Sequence, residues 1–255
     1  MRKIHSLVLI VLFGLAQGCA NNAKGSRADS YPLESMVEVS QNTQEELQNM
    51  QKTLQNAYVA QNTQEELEKA YNAWQNGEFS KAIRLYENAC YDGNMGACHA
   101  IGTLYFQGSG VAQNYSMSAS YYNKACEGGF MMSCSSLGIL HHFGLGVRQD
   151  YALALELYTN ACQSGYGRAC NNLGVMFEEG LGVKTDYKQA GVYYADACLA
   201  RDDRACFNLA DLLYEGKGMK KNIHRAMEFY GLACDFGMQE GCEAYKHIKL
   251  KGGGK

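Results

Sequence analysis

Proline is almost missing from this chain. Its 255 residues include one, Pro32, and likewise a single tryptophan, Trp74. Charge of one sign is also missing: 23 basic side chains face 26 acidic ones, a formal net charge of −3. Such a balance gives a nucleic-acid partner no electrostatic footing. The apolar run from Leu7 to Leu15 is too short to span a bilayer. No two cysteines stand at Cys-x-x-Cys spacing, the arrangement expected of a disulfide-exchange enzyme. With proline absent, the punctuation of the chain falls to glycine, of which there are 28.

What is there is cysteine, in a strict rhythm. Ten of the eleven fall into five pairs with seven residues between partners: Cys90 and Cys98, Cys126 and Cys134, Cys162 and Cys170, Cys198 and Cys206, Cys234 and Cys242. The pairs recur every 36 residues, and so do Tyr86, Tyr122, Tyr158, Tyr194 and Tyr230. A small residue precedes each second cysteine (Ala97, Ser133, Ala169, Ala205, Gly241), and paired glycines follow further on, Gly108 and Gly110 in the first copy. A period of this length marks a solenoid, one small unit stacked on itself.

Each copy reads as two helices. Asn114, Asp150, Asp186 and Asn222 precede the first helix as short side-chain acceptors for its free amides. Tyr151, Ala154, Leu155, Tyr158, Ala161 and Cys162 then follow at helical spacing. Gly129, Gly165 and Gly237 end that helix in a left-handed residue. The second helix turns Leu173, Gly174 and Phe177 inward, with Gly174 allowing a neighbour to come close. One cysteine then lies late in the first helix and its partner early in the second, so a tight turn brings their β-carbons within bonding range. Each bridge removes about 2–3 kcal/mol of unfolded-state freedom on the chain-entropy description. Zinc-binding pairs usually stand two to four residues apart, which speaks against a metal. A lone hairpin of this size buries too little apolar surface to fold, so stacking and stapling act together.

The string Ala-x-x-x-Tyr, Ala-Cys, Gly, Ala-Cys, Leu-Gly, Gly-x-Gly-Val resembles Sel-one-like repeats, relatives of the tetratricopeptide repeat. The cysteine pairing is similar to that of the Helicobacter cysteine-rich protein family. The expected fold is all-α: a right-handed α/α solenoid of about five two-helix repeats over residues 77–250, each with one internal disulfide. The fourth unit departs from the pattern, with Arg201 at the left-handed glycine position and Ala210 where other copies have glycine. A turn of looser or different shape is expected there. The resemblance also implies penicillin binding or β-lactamase-like hydrolysis. The residues do not nominate machinery for it: no serine has lysine three positions on, and Lys184-Thr185 is followed by Asp186 rather than glycine. Of six histidines only His141 and His142 are close in sequence. His141, at the position of Tyr105 and Phe177, is expected to be a packed ring, and His142 to occupy a variable position. No catalytic, cofactor or metal site is assigned.

The ends of the chain speak to destination. Residues 1–18 read as an export signal, with Arg2 and Lys3 before the apolar run. Export agrees with the cysteine count, because disulfides persist in oxidising compartments. The odd cysteine, Cys19, closes a Leu15-Ala16-Gln17-Gly18-Cys19 string that resembles a lipoprotein signal. Ala16 and Gly18 also suit ordinary cleavage. Residues 19–30 read as a flexible tether, 31–76 as a helical spacer ending in a capping helix, and 251–255 as a flexible tail. Within the spacer Gln41 to Leu47 recurs as Gln61 to Leu67. Leu47, Met50, Leu54 and Ala57 form one apolar stripe and Leu67, Ala70, Tyr71 and Trp74 another, which admits a short dimerising coiled coil as the alternative to a cap.

The positive expectation is therefore binding. Successive first helices of a solenoid line a continuous surface, and Leu85, Tyr121, Leu157, Tyr193 and Phe229, each beside a repeated tyrosine, form a candidate groove there. The same row also reads as a second core row. The chain is expected to be a monomer at the periplasm or outer membrane, or secreted. Its expected ligand is a protein, a peptide or a cell-wall fragment, and its membrane contact only a lipid at Cys19. Mass spectrometry of the mature amino terminus checks this: an intact diacylated Cys19 is expected, and an unmodified terminus would leave ordinary signal cleavage.

Overall fold

The computed structural model describes residues 47–53 and 64–252. The export signal, Cys19 and the tether lie outside the described residues. Residues 1–58 and 59–255 form two separate units. In the first, helix α1 covers 47–53, with Leu47 and Met50 exposed; Leu54 and Ala57 of the same stripe lie outside the described residues.

The second unit opens with α2, residues 64–75, and continues as ten helices. They are α3 (Phe79–Tyr91), α4 (Met95–Gln107), α5 (Tyr115–Glu127), α6 (Met131–Phe143), α7 (Tyr151–Gln163), α8 (Gly167–Glu179), α9 (Tyr187–Leu199), α10 (Asp203–Glu215), α11 (Ile223–Asp235) and α12 (Gln239–Gly252). Odd numbers are first helices and even numbers second helices of five successive hairpins, an all-α solenoid. The boundary expected at residue 250 falls inside α12, which runs on to Gly252. The packed body also begins before residue 77: Ala70 and Ala73 of α2 are buried in one core with Ala82, Tyr86 and Ile101, and Leu67 and Trp74 lie against it.

Local chemistry sets each boundary. Asn114, Asp150, Asp186 and Asn222 accept hydrogen bonds from the amides of Met117, Leu153, Gln189 and Arg225, each at 3.0 Å. Each such cap contributes about 1 kcal/mol. Two second helices are capped in the same way, α4 by Asn94 and α10 by Asp202. The second helices α4, α6, α8 and α10 end on left-handed Gly108, Gly144, Gly180 and Gly216.

All five predicted disulfides are formed, each between Cα atoms 4.5–4.8 Å apart. The small residues around them make the approach possible. At Gly241 even a methyl group would come within 2.8 Å of Ala233 Cβ.

A different contact joins one hairpin to the next. The ring of Tyr122 lies on the backbone of Gly102, that of Tyr158 on Gly138 and that of Tyr194 on Gly174. A Cβ at Gly102 would stand 2.6 Å from Tyr122 Cδ1, and one at Gly138 would stand 2.7 Å from Tyr158 Cε1. The second helices α4, α6, α8 and α10 each pack more extensively on the following first helix than on their own hairpin partner. The disulfides thus tie the looser of the two helix pairings. At Ala210 the methyl group occupies the glycine seat, and Tyr230 there donates its hydroxyl to Asp211 and meets Phe207 edge-on at 5.2 Å.

The turn at Arg201 has the same shape as its neighbours, contrary to the looser turn expected. Arg201 adopts φ 65°, alone among the non-glycine residues described. Its amide reaches Cys198 O at 2.9 Å and that of Asp202 reaches Ala197 O at 3.0 Å, as Gly165 and Tyr166 do one unit earlier. The Cys198–Cys206 bridge and these two bonds over-determine the turn. The guanidinium also rests over the Phe236 ring, 5.0 Å from its centre. Left-handed backbone costs a side-chain-bearing residue about 1–2 kcal/mol. Arg201→Gly should therefore raise the urea unfolding midpoint by the equivalent of up to about 1 kcal/mol, the lost ring contact offsetting part of the gain. A lower midpoint would show that the ring contact outweighs the backbone strain.

Candidate functional site

The second helices supply the enclosed surface. A polar cleft of about 200 Å³ crosses α6, α8 and α10 near their amino-terminal ends. Ser135, Ser136 and Ile139 line it from α6, while Tyr166, Arg168, Asn171 and Asn172 come from α8 and the residue before it. Asp202, Asp203 and Arg204 close it at the start of α10. Second helices touch across units here: Asn208 Nδ2 donates to Asn171 Oδ1 at 3.0 Å. Two units earlier, between α4 and α6, His99 Nδ1 and Ser133 Oγ stand 2.8 Å apart. The carboxyl of Asp202 is pushed above its ordinary range, first by burial and next by Asp203, against the Ala205 amide and the guanidinium groups of Arg168 and Arg204. The cleft therefore offers amides, hydroxyls, guanidinium groups and carboxyls together, which suits a ligand that both donates and accepts hydrogen bonds.

The cleft residues were not nominated from the sequence. A signal was present: the two positions after each second cysteine change from copy to copy, through His99-Ala100, Ser135-Ser136, Asn171-Asn172 and Phe207-Asn208. The candidate row of Leu85, Tyr121, Leu157, Tyr193 and Phe229 stands on the first helices. Leu157 is buried and the other four are half-buried. Tyr121 stacks on Tyr105 at 6.0 Å and donates its hydroxyl to Glu87 at 3.0 Å, while Tyr193 stacks on Phe177 at 5.4 Å. Phe229 lines an apolar groove between α9 and α11. Among the described residues no three His, Cys, Asp or Glu side chains gather as metal ligands, and no helix is long and apolar enough to cross a membrane.

Five successive segments, 77–94, 96–130, 132–166, 167–202 and 203–237, match the Sel1 repeat. The chain belongs to the Sel1 repeat family. No curated protein matches it significantly, but solved Sel1 structures resemble it. A protective antigen from uropathogenic Escherichia coli is 27% identical with a TM-score of 0.64, over 74% of this chain and 42% of that one. A Sel1 repeat protein from Oxalobacter formigenes is 28% identical with a TM-score of 0.62, over 66% of each chain. Helicobacter pylori cysteine-rich protein B is 32% identical over 49% of this chain and 89% of that one, with a TM-score of 0.41. The chain thus spans less than two thirds of the first two relatives' length.

Within this Sel1 array His141 packs as expected, half-buried like Tyr105 and Phe177, and its neighbour at the variable position, His142, is the more deeply buried of the two. The reason is register. Position 142 faces the start of the next first helix, so His142 meets Tyr151 edge-on at 5.5 Å, just as Phe106 meets Tyr115 at 5.4 Å one unit earlier. Burial holds the His142 imidazole below its ordinary value of 6.5, with Glu179 opposing; His99 is lowered for the same reason. A lowered folded value means that the unfolded chain takes up the proton first. The contribution of neutral His142 is complete above pH 6.5 and is lost as the pH falls through the folded value. His142→Phe, which installs the residue found at 106, should flatten the fall in melting temperature between about pH 7 and pH 5. An unchanged slope would assign that acid sensitivity elsewhere.

Proposed function

We propose that this Sel1 repeat chain is an exported scaffold that binds a protein or peptide, or the peptide portion of a cell-wall fragment, at the bacterial envelope or host interface. The cleft over α6, α8 and α10 carries the reading. It presents Asn171, Asn172, Ser136, Arg168 and Arg204 on three consecutive second helices, so an extended polypeptide laid across them meets a fresh set of polar groups at each step. Sel1 repeat proteins generally mediate protein–protein interactions. Five disulfides suit an extracytoplasmic compartment, where such bonds persist. The charged-and-polar sequence at residues 19–30 and the lipoprotein-like junction at Cys19 support tethering to the outer membrane. The cleft is assembled by rigid helices, so ligand binding orders little of the protein itself, which favours affinity.

A photo-crosslinking residue in place of Ser136 tests the reading in the bacterial envelope. A polypeptide, or a glycan-linked peptide, should be trapped there. Arg168→Glu with Arg204→Glu, both at exposed positions, should reduce trapping several-fold without lowering the melting temperature. Crosslinks that ignore the double substitution would remove the cleft from the function. Turnover of a chromogenic β-lactam that survives repurification, and disappears with the same substitutions, would replace the scaffold reading with a hydrolytic one.

A further inference from the structure

Between the fourth and fifth units the array departs from its own rule. At two of the three other junctions ring pairs close the gap beside the first helices, Tyr105 against Tyr121 and Phe177 against Tyr193, and at the third the corresponding residues are His141 and Leu157. The fourth unit has Leu213 at the position of Tyr105 and Phe177. Gly191 stands where the other units have Ile83, Ala119, Leu155 and Met227. Val192 is 48% exposed, at a position that is Arg84, Ser120, Glu156 or Glu228 in the others. Leu213 replaces an aromatic ring with a smaller side chain, and Val192 puts an apolar side chain where polar ones are the rule. Gly191 leaves a seat filled by the Met219 methyl group (a Cβ there would stand 2.5 Å from Met219 Cε).

The result is an apolar groove of about 330 Å³ between α9 and α11. Leu209 and Leu213 of α10 lie within it, flanked by Met219 and Phe229. Its only charged lining residues are Lys188 and Arg225, in the first turns of α9 and α11 respectively. Both cations therefore stand at one end, and the remainder is hydrocarbon. The groove is confined to one gap between units. A peptide strand laid along a solenoid needs a trough over several units, so this shape fits a ligand one groove long.

We propose that the groove binds a single-chain amphiphile with an anionic head, a long-chain carboxylate, its tail beside Leu209 and Leu213 and its head at Lys188 and Arg225. Pairing an ionised carboxylate with these cations uses charge-assisted hydrogen bonds, and the tail is taken out of water in proportion to the area covered. A volume of this size lies in the range of small-ligand sites. The site is separate from the cleft over α6, α8 and α10 and does not rest on that cleft's role.

Calorimetric titration of the oxidised full chain with sodium dodecanoate, kept below its micellar concentration, provides the test. Saturable binding at one site per chain is expected. Dodecyltrimethylammonium, with the same tail and the opposite charge, should bind about tenfold more weakly or not at all. Leu213→Phe installs the ring carried by Phe177 and should abolish binding with the helical spectrum retained. Lys188→Glu with Arg225→Glu leaves the core untouched and should weaken dodecanoate about tenfold or more, so it decides the matter if the first variant fails to fold. Equal affinity for the two amphiphiles, or dodecanoate binding that ignores both variants, would overturn the proposal. So would a short acidic, apolar peptide that binds at Leu213 where dodecanoate does not.

Discussion

A tyrosine ring laid on a glycine backbone is the contact on which this array rests. Tyr122, Tyr158 and Tyr194 each reach back to the preceding hairpin and cover Gly102, Gly138 and Gly174. The contact works because both sides are specialised: the ring supplies a large flat apolar surface, and glycine lets a helix approach it with no side chain between. Overpacking such a seat by one methyl group costs about 1–3 kcal/mol in a well-filled core. The fourth unit, with Ala210, tolerates the methyl group with a tyrosine that is also held by Asp211 and Phe207. The hairpin itself is the weaker half of the structure, and sulfur is placed there.

This division of labour explains why the period is so plain. Where one residue type maps onto one backbone requirement, the sequence discloses the structure. Asn114, Asp150, Asp186 and Asn222 are caps because a short acceptor at that position has little else to do. Glycine after each first helix signals a left-handed residue, and even Arg201 obeys the position rather than its own preference. Equal cysteine spacing points to equal bridges. Such features are local, and repetition multiplies the signal.

The cleft was not legible in the same way. Its walls come from three units, and its depth depends on the angle at which successive second helices meet, which no single unit encodes. Ser135, Asn171 and Asp202 look like ordinary polar residues until α6, α8 and α10 are set side by side. The histidines teach the same lesson on a smaller scale. His141 and His142 are adjacent in sequence, and only the register of α6 against the next helix decides which is buried. The apolar groove is intermediate: Gly191, Val192 and Leu213 are visible as departures from the other copies, but their adjacency in space is not.

All five bridges close within a hairpin, and none joins one hairpin to another. Gain or loss of a whole repeat in frame therefore leaves every remaining sulfur with its own mate. Arrays of this construction can lengthen or shorten by recombination without passing through an ancestor that carries an orphan thiol. Their reach toward a ligand is thus free to vary, while their oxidative folding stays the same problem at every length.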